Sequence, residues 1–83
     1  MDAKVFTALR KLNGLSQIEV AELLGVSRAL IAIIETERQP ISHRLEQRVK
    51  EVFGVQQISV IQLTLHAINN GSAKRVILHD AVL

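Results

Sequence analysis

The chain has no cysteine, tryptophan or tyrosine, one proline, and two aromatic residues, Phe6 and Phe53. Each shortage removes a class of answer. Without cysteine there is neither a disulfide framework nor a thiolate metal site, which suits a reducing cytoplasm. Without a platform of aromatic rings, a single nucleic-acid strand cannot be held by stacking its bases. No apolar run approaches the roughly 18 residues of a membrane span. Met1-Asp2-Ala3-Lys4 leads straight into an amphipathic pattern rather than a secretory leader. A cytoplasmic protein with no membrane partner is therefore expected. His43, His66 and His79 show no ligand spacing, and no paired carboxylates or nucleophile-base arrangement stands out. Neither catalysis nor a bound metal or cofactor is expected.

What remains is a chain of 83 residues that is 48% hydrophobic and carries a formal charge of +2. That length makes one small domain with a short appendage, whose limited core a second subunit would usefully extend. A charge of +2 allows phosphate binding only where the basic residues cluster, so their positions matter more than their sum.

Helical punctuation dominates the first 55 residues. Asp2 is an N-cap for a first helix to about Leu12, with Val5, Leu9, Leu12 and Phe6 as its apolar face and Lys4, Arg10 and Lys11 outward. Asn13-Gly14 stops it, and Leu15 can fold back onto its last turn. Ser16 and Glu19 form a capping box for a second helix, in which Val20, Leu23 and Leu24 follow at helical spacing. Gly25 ends that helix and Ser27 caps a third, with Ile31 and Ile34 inward. A helix, a three-residue turn containing glycine and a second capped helix describe a helix-turn-helix. Pro40 blocks continuation past the next loop, and Ser42 caps a fourth helix to about Phe53. Its inward residues are Leu45, Val49, Val52 and Phe53.

Gln17, Ala21, Gly25, Val26, Ser27, Ile31 and Glu35 are spaced as in the Cro and phage-repressor class of helix-turn-helix proteins, also called the xenobiotic-response-element type. The resemblance runs from about Val5 to Val55. It implies an all-α, compact four- to five-helix, lambda-repressor-like DNA-binding domain over residues 1–55, with residues 56–83 as a C-terminal dimerisation or interaction segment. It further implies that helix 2 crosses the DNA backbone while helix 3 lies in the major groove of double-stranded DNA. Gln17 then matches a phosphate-contacting position. Ser27, Arg28 and Ala29 form the leading end of the reading helix, and Ala32 and Ile33 continue its outward face. Arg28 can donate two hydrogen bonds to guanine O6 and N7. Arg38, Ser42, His43 and Arg44 are candidates for holding the backbone beside the groove. Glu35 is expected to pair with an arginine inside the domain.

The chain departs from the family pattern in two places, the outward face of helix 3 and the loop after it. Ala29, Ala32 and Ile33, with Leu30 at their margin, replace the polar side chains usual on a reading helix. Glu37 stands where glycine is frequent. Exposed apolar residues are more typical of protein contacts. A second reading follows: an interaction module on the same fold, such as an antirepressor or a partner in a regulatory complex.

Beyond Gln56 the pattern is ambiguous. Ile61, Leu65 and Ile68 fit one helical face. Alternatively Ile61, Leu63, Leu65 and Ala67 alternate as a strand that Arg75 to Val82 could join as a β-arm. The helix from about Ile58 to Asn69 is the preferred reading. Ile58, Ile61, Leu65, Ile68, Val76 and Leu78 are the candidate surface of a homodimer, which would match a two-fold symmetric operator.

Overall fold

The computed structural model describes residues 1–69, and within them every regular element is a helix. They are α1 (Ala3–Leu12), α2 (Gln17–Leu24), α3 (Arg28–Glu35), α4 (His43–Phe53) and α5 (Val55–Asn69). The first four begin at side chains that satisfy orphan amides. Asp2 Oδ1 accepts from the Lys4 amide at 2.8 Å, Ser27 Oγ from Leu30 at 3.1 Å, and Ser42 Oγ from Leu45 at 3.1 Å. The Ser16 box is reciprocal: the Glu19 amide donates to Ser16 Oγ at 3.0 Å, and the Ser16 amide donates to Glu19 Oε1 at 2.9 Å.

The core is contributed by all five helices: Val5, Phe6 and Leu9; Val20, Ala21 and Leu24; Ile31 and Ile34; Leu45 and Val49; Ile58 and Ile61. Helix α1 lies against α3 and α5, while α2 lies against α3 and α4, and α4 also supports α5. Short helices meeting in pairs thus seal a core with only one large ring in its centre, Phe6.

Several inward expectations are corrected. Leu12 and Val52 are exposed, Leu12 at 73%. Both lie in the last turn of their helices, at the edge of the packed centre rather than in it. Leu23 is exposed because it stands about 100° round the helix from Leu24, while Val20, Ala21 and Leu24 fill the inner face. Arg10, expected outward, turns in and forms the internal pair described below.

The ambiguous segment resolves as helix up to Asn69, starting at Val55 instead of Ile58. Ile58 and Ile61, expected at an association surface, are core residues with 3% and 6% exposure. They share the core of α1 and α4, so the chain past residue 55 begins as part of the same packed unit. Leu65 is half-buried and Ile68 exposed. Val76 and Leu78, and the β-arm with them, lie outside the described residues. None of the described helices is long and apolar enough to cross a membrane.

Candidate nucleic-acid interface

The turn between α2 and α3 is built by backbone geometry before any functional side chain appears. Gly25 has φ +70°, a left-handed conformation that a Cβ disfavours. The amides of Gly25 and Val26 bond back to the Glu22 and Ala21 carbonyls at 3.2 and 3.0 Å, closing the end of α2. Ser27 follows at once as the cap of α3, so only Gly25, Val26 and Ser27 separate the two helices. Ile31 and Ile34 face the core and fix the roll of α3. Arg28 and Ala29 are then exposed at its leading end, Ile33 is 37% exposed, and Leu30 and Ala32 are half-buried.

The far end of α3 is held by charge. Arg10 Nε donates to Glu35 Oε2 at 2.6 Å and Arg10 Nη2 to Glu35 Oε1 at 2.9 Å, a bidentate pair with side chains only 12% and 8% exposed. Arg10 Nη1 also donates to the Leu15 carbonyl at 2.9 Å, and Gln17 Nε2 donates to Glu35 Oε1 at 3.0 Å. One carboxylate therefore ties α1, the loop after it and the start of α2 to the end of α3. Burial alone would raise the Glu35 carboxyl. The hydrogen bonds from Arg10 and Gln17, with the positive charges of Arg10 and Lys11, outweigh it and hold the group below the usual glutamate range.

That network changes the balance of charge at the surface. Glu35 is neutralised by Arg10, Glu46 is paired with the N-terminal amine and approaches Lys50 at 3.4 Å, and Glu19 is committed to its capping box. By contrast Arg28, Arg38, Arg44 and Arg48 are exposed and have no ion pair or hydrogen-bond partner for their guanidinium groups among the described residues. Exposed Glu22, Glu37 and Glu51 are likewise without an ion pair among the described residues, so a phosphate backbone would be met by the local grouping of the free arginines and not by the net charge of +2.

The structure brings part of the candidate set together. Leu30 of α3, the α4 cap Ser42 and Arg44 of α4 line one open cleft of about 250 Å³ with Leu24, Gly25, Val26, Leu45 and Arg48. His43 is exposed beside them as the first residue of α4. Arg38 lies in the loop between α3 and α4, its amide bonded to the Ile33 carbonyl at 3.2 Å. Gln17 keeps its place at the start of α2, but its carboxamide is turned toward Glu35. The hydroxyls of Ser27 and Ser42 act as helix caps. Arg48 was missed by sequence reasoning; its signal was the four-residue spacing from Arg44, which puts both on one side of α4. Its Nη2 lies 3.6 Å from where a Cβ at position 25 would sit, so the side chain covers the turn itself.

Glu37 has φ +62°, left-handed for a residue with a side chain. The glycine that the family pattern favours at this position is the residue this conformation favours, so the departure seen in the sequence carries backbone strain.

A family model described as helix-turn-helix matches residues 7–55, more than half of the 83-residue chain. Comparison with curated proteins and with solved structures found no match.

Proposed function

Because the chain belongs to the Cro and phage-repressor class of the helix-turn-helix family, we propose that it is a sequence-specific regulator of transcription. It binds double-stranded DNA as a dimer on an inverted repeat, in the manner of a phage or mobile-element repressor, and works in the cytoplasm. The observation that carries this reading is the unpaired Arg28 at the exposed leading end of α3, on a helix whose other end is locked by Glu35. A rigid helix with a free guanidinium at its tip suits bidentate recognition of guanine. Arg38, His43 and Arg44 then hold the backbone, with Arg48 as an additional cation and Gln17 at the start of α2. Ala29, Ala32 and Ile33 meet thymine methyls or sugar edges in the groove.

Selection from a pool of random duplexes tests the reading. The expected product is an inverted repeat whose half-sites are centred about 34 Å, one helical turn, apart. Failure to enrich any sequence, with weak binding even at low salt, would overturn it.

The exposure of Ile33 beside Ala29 favours a second reading, in which α3 docks on another regulatory protein. Ile33→Asp separates the two. Under the first reading it abolishes duplex binding, since a carboxylate enters the groove. Under the second, there is no duplex binding to lose and a protein complex dissociates instead.

A further inference from the structure

A glycine after asparagine leaves its nitrogen unshielded for attack on the asparagine carboxamide, and Asn13-Gly14, the stop of α1, is such a pair. Both residues are exposed, and a Cβ at position 14 would meet nothing within 4 Å. What restrains them is hydrogen bonding. Asn13 Nδ2 donates to the Leu9 carbonyl and to Gln57 Oε1, both at 2.7 Å, and Gln57 Nε2 donates to the Phe53 carbonyl at 3.1 Å. The carbonyls at the two ends of this relay only accept, so the orientation of each carboxamide is fixed. The relay joins the last turns of α1 and α4 to the first turn of α5.

The backbone is held as well. The Gly14 amide donates to the Lys11 carbonyl at 3.0 Å. Asn13 has ψ 6°, which eclipses its own nitrogen with that of Gly14. A ring closed between Asn13 Cγ and the Gly14 nitrogen requires Cβ in that place instead. The ψ angle must therefore turn, and the relay must open first.

We infer that Asn13-Gly14 is a site of self-modification, deamidation through a cyclic imide, gated by the docking of α5 through Gln57. Once the relay opens, the Gly14 nitrogen attacks Asn13 Cγ. The carboxamide nitrogen leaves as ammonia, taking the Gly14 amide proton, and a five-membered succinimide remains. Water then opens either of its carbonyls, giving aspartate or isoaspartate. Neither product fits the seat that asparagine left. Aspartate presents only acceptors to the Leu9 carbonyl and Gln57 Oε1. It also sets a negative charge at the C-terminus of α1, where the helix dipole disfavours it. Isoaspartate lengthens the backbone by one methylene and displaces the cap. Opening thus exposes the site, and modification favours the open state.

The test follows the tryptic peptide 12–28 of the full chain by mass spectrometry during incubation in mildly alkaline buffer. That peptide contains Asn13 and no other asparagine, while Asn70-Gly71, outside the described residues, falls in a different one. Wild type should convert slowly to a mixture of aspartate and isoaspartate, and faster when unfolded in urea. Gln57→Ala should convert about five-fold faster than folded wild type, the effect of one lost hydrogen bond on local opening. Ile34→Val, in the core on α3, should melt lower yet convert at the wild-type rate. Asn13→Asp, the product made directly, should melt about 5 °C or more below wild type. Conversion no faster in urea, a Gln57→Ala rate equal to wild type, or aspartate without isoaspartate would overturn the inference. So would equal acceleration by Ile34→Val, because global unfolding and not α5 would then be the gate. An Asn13→Asp chain as stable as wild type would overturn the consequence drawn for α5.

Discussion

Helices α3 and α5 both show apolar side chains to solvent, yet they differ in what surrounds those side chains and in what holds them. Outward residues of α3 stand beside an unpaired arginine, and its far end is fastened by a bidentate ion pair with Arg10. Outward residues of α5 have no charged neighbour on their helix, and the helix is fastened by Ile58 and Ile61. Exposed hydrophobicity alone therefore assigns no role. The charge next to it separates the two: among these residues only those of α3 stand beside a free cation, the arrangement a polyanion would meet.

The largest expected effects test the two kinds of fastening. Ile61→Ala should cost about 3 kcal/mol through lost burial and a cavity. Glu35→Ala should cost a comparable amount, about 3 kcal/mol, because Arg10 is left buried without its partner. Acid then separates them. The Glu35 carboxyl is depressed in the folded protein, so its contribution is complete above the ordinary glutamate pKa and disappears as pH falls through the lowered value. Chemical denaturation across that window should show the penalty of Glu35→Ala shrinking at low pH while that of Ile61→Ala persists. Equal pH dependence of the two would break the distinction.

A smaller effect concerns how α3 begins. Ser27→Ala removes the hydroxyl that accepts from Leu30 and should cost about 1 kcal/mol. Because that cap orients Arg28, duplex affinity should fall as well, with the mass in solution unchanged. An altered mass would mean that the effect of the cap is not confined to α3.

The smallest change reverses the departure at Glu37. Glu37→Gly relieves the left-handed strain and should stabilise by roughly 0.5–1 kcal/mol in thermal melts, a gain partly offset by the entropy of an unfolded glycine. It also removes a carboxylate near the expected phosphate path, so duplex binding should tighten modestly. Weaker duplex binding would argue that Glu37 serves a protein contact.

The fold was legible from residues 2 to 54 because its punctuation is local. Asp2, Ser16, Ser27 and Ser42 are caps read from neighbouring residues, and Gly25 is a stop read from its place between two apolar patterns. Long-range choices were less visible. Arg10 has the spacing of a surface residue, and only the approach of α3 turns it inward to Glu35. Leu12 and Val52 lie on the correct side of their helices, but periodicity does not reveal where a packed centre ends. In α5 two apolar stripes lie on opposite faces, so the helical signal cancels and alternation mimics a strand. Of the candidate site, Ser27, Arg28, Ser42, His43 and Arg44 are found at the exposed starts of α3 and α4 as expected. Arg48 was hidden because its relation to Gly25 exists only once α4 crosses the end of α2.

The most direct test of DNA reading by α3 is the base preference of wild type against Arg28→Ala, measured on the same random duplex pool at one salt concentration. Wild type is expected to enrich a guanine at a fixed position in each half-site. Arg28→Ala should lose preference at that position alone, about 1–3 kcal/mol of discrimination, while keeping the wild-type mass in solution. An unchanged preference in Arg28→Ala, or no enriched base in wild type, would contradict the assignment of α3 as the reading helix.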